Sequence, residues 1–340
     1  MKMRWNEIGS KSAHLIGSHW NGLERRESYS FRAYLVAAGA FFAAICLSGF
    51  FLAGRAMAVE VKTAILTNQV RWQSDYFEAY RAAQQSHKML FIYFCNNAAK
   101  ENVAREPIPL DPVDSALSAA ASRAKLDNFV LVRLPLDATV PVDGRPSRLL
   151  SHAAFAELRG GPGLAIIDLA HCDAPYYTYV VSACPFTPGK YYHFQPEHVA
   201  TLLDLPVGTL TQRTMVFAVR IHPERPASTA GAANPVLYDE AASHSRYQAQ
   251  IQLQGHHQWE SRFHRIISRL FRRGTPGMPA EVVAESWPNE NLMDSCIDCV
   301  DSWRQSSGHW SQVHAQHVGY GYDIQRGANG IWYATGIFSN

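Results

Sequence analysis

Residues 33–53 read AYLVAAGAFFAAICLSGFFLA, an unbroken run without a charge, held between Arg32 and Arg55. No surface element of a water-soluble domain tolerates such a run, whereas about 20 apolar helical residues match the roughly 30 Å of hydrocarbon in a bilayer. The flanking charges supply a direction. Segment 1–32 carries Lys2, Arg4, Lys11, Arg25, Arg26 and Arg32 against Glu7, Glu24 and Glu27. The positive-inside bias therefore keeps 1–32 cytoplasmic and exports the residues beyond the apolar run. Ala56-Met57-Ala58 offers the small-x-small pattern of a signal-peptidase site. Two expectations stay open at this point. Residues 33–53 are an uncleaved transmembrane signal anchor, giving a single-pass protein with an extracytoplasmic bulk and the membrane as partner. Otherwise they are a signal h-region cut after Ala58, and the product is secreted.

The rest of the chain has the material of ordinary domains. Of 340 residues, 47% are apolar and 18% charged, enough for real cores and too apolar for disorder. A net charge of +2 gives no electrostatic footprint for a nucleic acid, which is excluded as a partner. Six scattered cysteines are too few for a disulfide scaffold. No period of 20–50 residues marks a repeat array.

Segment 62–206 alternates helical and strand signals. Trp72, Tyr76, Ala79/Tyr80 and Ala83 recur at helical spacing; Met89 to Phe94 is a buried strand preceded by Lys88. A helix-like stretch over 116–126, a strand over 129–134, a short helix over 153–158 and a strand over 164–169 come next, which is the pattern of an α/β domain. This order, with Gly161-Pro162 just before the last strand, resembles the thioredoxin fold. The resemblance implies a cis-proline at Pro162. It also implies a Cys-x-x-Cys after the first buried strand, where this chain reads Cys95-Asn96-Asn97-Ala98. Thiol exchange needs an attacking and a resolving sulfur, so the domain is expected to be redox-inactive. Cys172 and Cys184 bracket an aromatic segment compatible with a hairpin and stand as a disulfide or as two separate thiols.

Beyond a linker over 205–212, segment 210–340 opens with an apolar run, 215–221, and a Pro-rich loop. A helix through Leu237, Ala241/Ala242, Ser245 and Ala249 ends near Gly255, directly before His256-His257. Residues 260–273 form a second amphipathic helix, whose five arginines present either a basic face to anionic lipid or a solvated outer face. Cys296 and Cys299 share a stripe with Trp303 and read as core, as a disulfide or as a metal pair.

Two imidazoles and two carboxylates in this half, His256 (or His257), Glu285 (or Glu290), Asp298 and His309, have the chemistry to hold a divalent ion or to act as a general acid–base set. Their order is also informative. A helix leads to His256-His257, then come Ala284-Glu285-Ser286 or Asn289-Glu290-Asn291, and Asp298 to Trp303. Ser306-Ser307-Gly308-His309, Gly319-Tyr320-Gly321 and Trp332-Tyr333 complete the series. The series resembles the CAP superfamily, the cysteine-rich secretory, antigen-5 and pathogenesis-related group. Ser-Ser stands where the family has Ser-Pro, and Asp298 where it has Glu.

The resemblance implies an α-β-α sandwich over 210–340 with a central cleft lined by His256, Glu285, Asp298 and His309, with zinc on the two histidines in some members. The expected function is an exported, membrane-anchored binding protein that takes a protein, peptide or lipid ligand, without enzymatic activity. The alternatives are a metal- or His/carboxylate-dependent hydrolase working in the same cleft, and a thiol–disulfide protein using Cys95 or Cys296/Cys299.

Overall fold

The computed structural model describes residues 70–96, 111–142, 144–186, 194, 195 and 197–340. The expected segments 1–32 and 33–53 and the cleavage site at Ala58 lie outside the described residues. Among the described residues, no helix is long and apolar enough to cross a membrane. The fold is mixed α/β, built on two four-stranded sheets.

In the first sheet, β1 (Met89–Cys95) is buried along its whole length, as MLFIYFC requires of a strand covered on both faces. It pairs in parallel with β2 (Phe129–Pro135), Met89 opposite Phe129, and antiparallel with β5 (Gly163–Ile167). Strand β6 (Val180–Pro185) closes the order β2-β1-β5-β6. Helix α1 (Tyr76–Gln85) is capped by Asp75, whose carboxylate accepts the Glu78 N–H, and buries Tyr76, Ala79 and Ala83. The stretch expected as one helix over 116–126 divides into α2 (Pro112–Ser118) and α3 (Ala120–Arg123), because Ala119 between them is extended, with ψ 145°. Residues 139–148 form a small hairpin, β3 (Thr139–Val142) with β4 (Arg145–Arg148), and Ala153–Leu158 is a 3-10 turn.

Two expectations for this half are corrected. No cis peptide bond occurs among the described residues, so Pro162 is trans. Arg159 and Gly160 reverse the chain by adopting positive φ (54° and 71°), and the Pro162 carbonyl accepts the Phe186 N–H. The chain therefore enters β5 without a cis bond. Cys172 and Cys184 are not joined to each other: Cys184 is buried on β6 opposite Leu164, while Cys172 is exposed in the turn after β5.

The second sheet runs β7 (Ala232–Ala233), β9 (Gly319–Arg326), β10 (Trp332–Ser339), β8 (Pro279–Glu285), antiparallel from β9 onward. Preceding it are α4 (His198–Leu203) and α5 (Leu210–Ile221), the latter opened by a Thr209/Gln212 capping box. Helix α6 (Pro235–Ile251) crosses β9 so closely that a Cβ on Gly321 would lie 2.3 Å from the Leu237 carbonyl carbon. Only glycine permits that approach. The next residue, Tyr322, points to the other face, where its ring meets Trp303 of α8 (Leu292–Gln305) at 5.8 Å. Helices therefore cover both faces of this sheet. Helix α7 (Trp259–Arg272) lies against α6, and α9 (Ser307–His314) comes directly after α8.

Three of the five arginines over 260–273 are held by carboxylates of the fold. Arg265 and Arg269 both reach the buried Glu240 carboxylate of α6, and Arg269 also pairs with Asp239. Arg262 turns inward to Glu281.

Residues 70–340 form one compact unit with an apolar core that continues across both sheets. The fully buried Arg213 of α5 fastens them together. Its Nε donates to Ser182 Oγ of β6 at 2.9 Å, and its Nη1 donates to the carbonyls of Leu205 and Pro206. Glu157 adds a second tie by accepting the Leu292 N–H at the start of α8.

Candidate functional site

The turn between α6 and α7 carries His256, and every side of that turn is held. Gln252 leaves α6 with φ 54°, Gly255 has φ 156°, and Gln258 enters α7 with φ 55°. Gln248 Oε1 accepts the Gly255 N–H at 3.0 Å, and the Gly255 carbonyl accepts from His244 Nε2 at 2.9 Å. Arg262 Nε donates to the His257 carbonyl at 2.9 Å, and Gln254 donates to the Val283 carbonyl of β8. The turn is thus fixed by side chains from α6 and α7 and by the β8 backbone, so the direction of His256 is set before anything binds.

His256 Nδ1 lies 2.9 Å from Glu281 Oε1, and its Nε2 lies 3.3 Å from His309 Nε2. Glu281 belongs to β8, and its side chain is 1% exposed. Both of its oxygens are bound by Arg262, Nη2 meeting Oε1 at 2.7 Å and Nη1 meeting Oε2. Burial pushes this carboxyl up, but the hydrogen bonds from Arg262 and His256 and the Arg262 charge outweigh it and hold Glu281 below the usual carboxylate range. The ionised carboxylate accepts the His256 Nδ1–H, and the His256 Nε2 lone pair then faces His309.

His309 enters from the first turn of α9, beside Gly308, where a Cβ would meet only open space. Burial first, and the neighbouring His256 second, lower its pKa, while Glu281 opposes them. His244, behind the turn, is pushed down to about 4, chiefly by burial, and is a neutral structural donor.

The pair has the spacing of metal ligands. Two zinc–nitrogen bonds of about 2.0–2.1 Å at a tetrahedral angle place the nitrogens roughly 3.3–3.4 Å apart. The observed Nε2–Nε2 separation is 3.3 Å. Glu281 stands behind His256 as the carboxylate that orients a ligating imidazole. A metal here would find two protein ligands: among the described residues, no group of three or more His, Cys, Asp or Glu side chains is placed to hold a metal ion. Water or a bound molecule would complete the shell.

Of the four residues drawn from sequence, His256 and His309 converge, and the two carboxylates do not join them. Glu285 is exposed at the end of β8, opposite Tyr333. It shares a face with Glu281 but lies four residues further on, about 13 Å along the strand. Asp298 is buried on α8 and, among the described residues, does not make a metal-holding group with the two imidazoles. His257 turns away, its Nε2 against the Leu253 carbonyl at 3.2 Å and its ring against Tyr247. The carboxylate of the site is Glu281. An acid inside the apolar run of β8 was its only signal. Arg262 was equally legible on the stripe Arg262, Ile266, Leu270, where a charge facing the core asks for a partner.

Neither Trp310 nor Trp332 stacks on the pair. Trp310 packs on His222 and under Arg304, and Trp332 donates to the Glu290 carbonyl. Cys296 and Cys299 are wholly buried, and burial pushes both thiols well above their ordinary range. They lack the accessible, low-pKa character of a reactive thiol.

No family model, no curated protein and no solved structure matches the chain.

Proposed function

We propose that this is an exported binding protein whose C-terminal half carries a CAP-like cleft with a two-histidine divalent-metal site, zinc first among candidates. The N-terminal half is then a redox-inactive thioredoxin-like scaffold. The observation that carries the reading is the pairing of His256 Nε2 with His309 Nε2 at 3.3 Å while Glu281 holds the opposite nitrogen of His256. A sheet covered by helices on both faces, with His309 at the start of the helix after Trp303, agrees with the CAP resemblance. The order β2-β1-β5-β6, one parallel pair followed by antiparallel strands, agrees with the thioredoxin one. Residues 33–53 tether the protein to the membrane, and the cleft takes a protein, peptide or lipid ligand.

When bound, zinc supplies a Lewis acid that polarises a coordinated oxygen. The chain's own residues fix the ligand directions. Glu281 keeps a proton on His256 Nδ1, and the lowered pKa of His309 keeps that imidazole neutral and able to ligate near pH 7.

The second reading, a hydrolase, has one specific observation in its favour. A buried carboxylate on His256 Nδ1 is the arrangement of an oriented general base. It predicts ester hydrolysis by the metal-free chain, lost in His256→Ala.

Zinc retention by the full chain after dialysis separates these readings. Wild type and Glu285→Gln are expected to retain zinc. His256→Ala and His309→Ala lose it, and Glu281→Gln binds it about 10–100-fold more weakly. Equal zinc content in wild type and His309→Ala would remove the metal site.

A further inference from the structure

Arg262 is the charged residue at this site that the metal reading leaves without a task. Its side chain is 5% exposed and that of its partner Glu281 1%. Withdrawing such a pair from water is unfavourable, and well-packed apolar residues of the same volume often serve stability as well or better. The way the guanidinium is used points to another purpose. One edge, Nη1 and Nη2, binds both oxygens of Glu281, while Nε donates to the His257 carbonyl. A single rigid plane thus fixes the peptide that follows His257, one residue beyond His256, and the carboxylate that His256 meets. Glu281 Oε1 accepts from Arg262 Nη2 and from His256 Nδ1 alike, so the angle at which it meets the imidazole is set by the arginine. The Trp259 ring, 5.2 Å from the guanidinium carbon, backs the same group. Lysine, a point charge on a flexible stem, cannot bind both oxygens and the carbonyl at once.

We propose that Arg262 is a positioning residue: acting through Glu281 and the His257 carbonyl, it fixes His256 as the Nδ1–H tautomer with its Nε2 lone pair aimed at His309. His309 differs from His256 in this respect. Its polar contact is with His256 itself, and among the described residues no carboxylate fixes its other nitrogen. The site therefore combines one ligand locked in tautomer and direction with one that adjusts. The inference concerns how His256 is held and rests on the zinc reading only for its second readout.

The test uses the full chain, metal-free, with 15N-labelled histidine, at a pH high enough to keep the imidazoles neutral. Long-range proton–nitrogen correlation reads each tautomer, and His256→Gln assigns the signal. In wild type, His256 is expected as Nδ1–H. In Arg262→Gln and Arg262→Lys it is expected to shift toward Nε2–H, the form favoured in water. The Lys variant keeps the charge and covers the case in which Arg262→Gln does not fold. Zinc affinity, measured by chelator competition, is expected to fall about 10–100-fold in Arg262→Lys. An Nε2–H His256 in wild type, or an unchanged Nδ1–H signal in a folded Arg262 variant, would overturn the inference. Failure of wild type to bind zinc would sink the metal reading and leave the tautomer result standing.

Discussion

At the scale of single residues, the second sheet contains a titrating group unrelated to the imidazole pair. Asp323 is wholly buried and accepts hydrogen bonds from Thr211 Oγ1 at 2.6 Å and Gln325 Nε2 at 2.8 Å. Burial dominates over both, and its pKa is raised to about 6. The unfolded value is about 3.9, so between roughly pH 4 and pH 6 the folded chain binds the proton more tightly than the unfolded one. The contribution is full below that window and is lost as pH rises through it, by about 2–3 kcal/mol in total. Asp323→Asn keeps an acceptor and removes the titration. Urea unfolding at closely spaced pH values should show a flatter stability profile between pH 4 and pH 6 than wild type. An identical profile would place the titration elsewhere. His309 acts with the opposite sign: its lowered pKa contributes stability above about pH 6.5 that is lost as pH falls toward its folded value.

At the scale of elements, much was legible because burial leaves a periodic trace. MLFIYFC is apolar at every position, and β1 is buried at every position. Of the helical spacing read from Trp72 to Gln85, Tyr76–Gln85 is helix, starting only after the Asp75 cap, and Trp72 lies before it. The stripe Cys296, Cys299/Val300, Trp303 is the buried face of α8. The turn after α6 was visible from Gly255, whereas α9 was not, since Ser306-Ser307-Gly308 carries no helical signal although Ser307–His314 is a helix. What stayed hidden depends on contacts remote in sequence. Glu281 and Glu285 share one face of β8, and period 2 cannot choose between them. The choice is made by where Gln254 docks on Val283 and brings His256 beside Glu281. The order of motifs offered Glu285 or Glu290, since it counts residues and not register. The Gly-Pro signal before β5 was real as a turn. Its geometry comes from positive φ at Arg159 and Gly160, which the sequence pattern does not specify.

At the scale of the molecule, composition and punctuation suggested two domains joined over 205–212, and one apolar cluster takes residues from both sides of that joint. Arg213 shows the physical reason. Burial lowers its pKa to about 10, and its partners are Ser182 in the first half and the carbonyls of Leu205 and Pro206 in the joint, all before residue 210. A fragment 210–340 would leave this guanidinium without them, and the Leu292 N–H without Glu157. A buried charge stripped of its partners is strongly unfavourable. The fragment is expected to aggregate or to melt without a cooperative transition in circular dichroism. A cooperative melt at the temperature of the intact chain would show that the halves are independent.

The central claim is that two imidazoles converge as metal ligands, and zinc-edge X-ray absorption on the intact, zinc-loaded chain tests it most directly. The expected spectrum has a first shell of nitrogen and oxygen at about 2.0–2.1 Å, carrying the outer-shell pattern of two imidazoles and losing one of them in His309→Ala. A sulfur shell at about 2.3 Å, which would move the metal to Cys296 and Cys299, or a spectrum unchanged in His309→Ala, would contradict it.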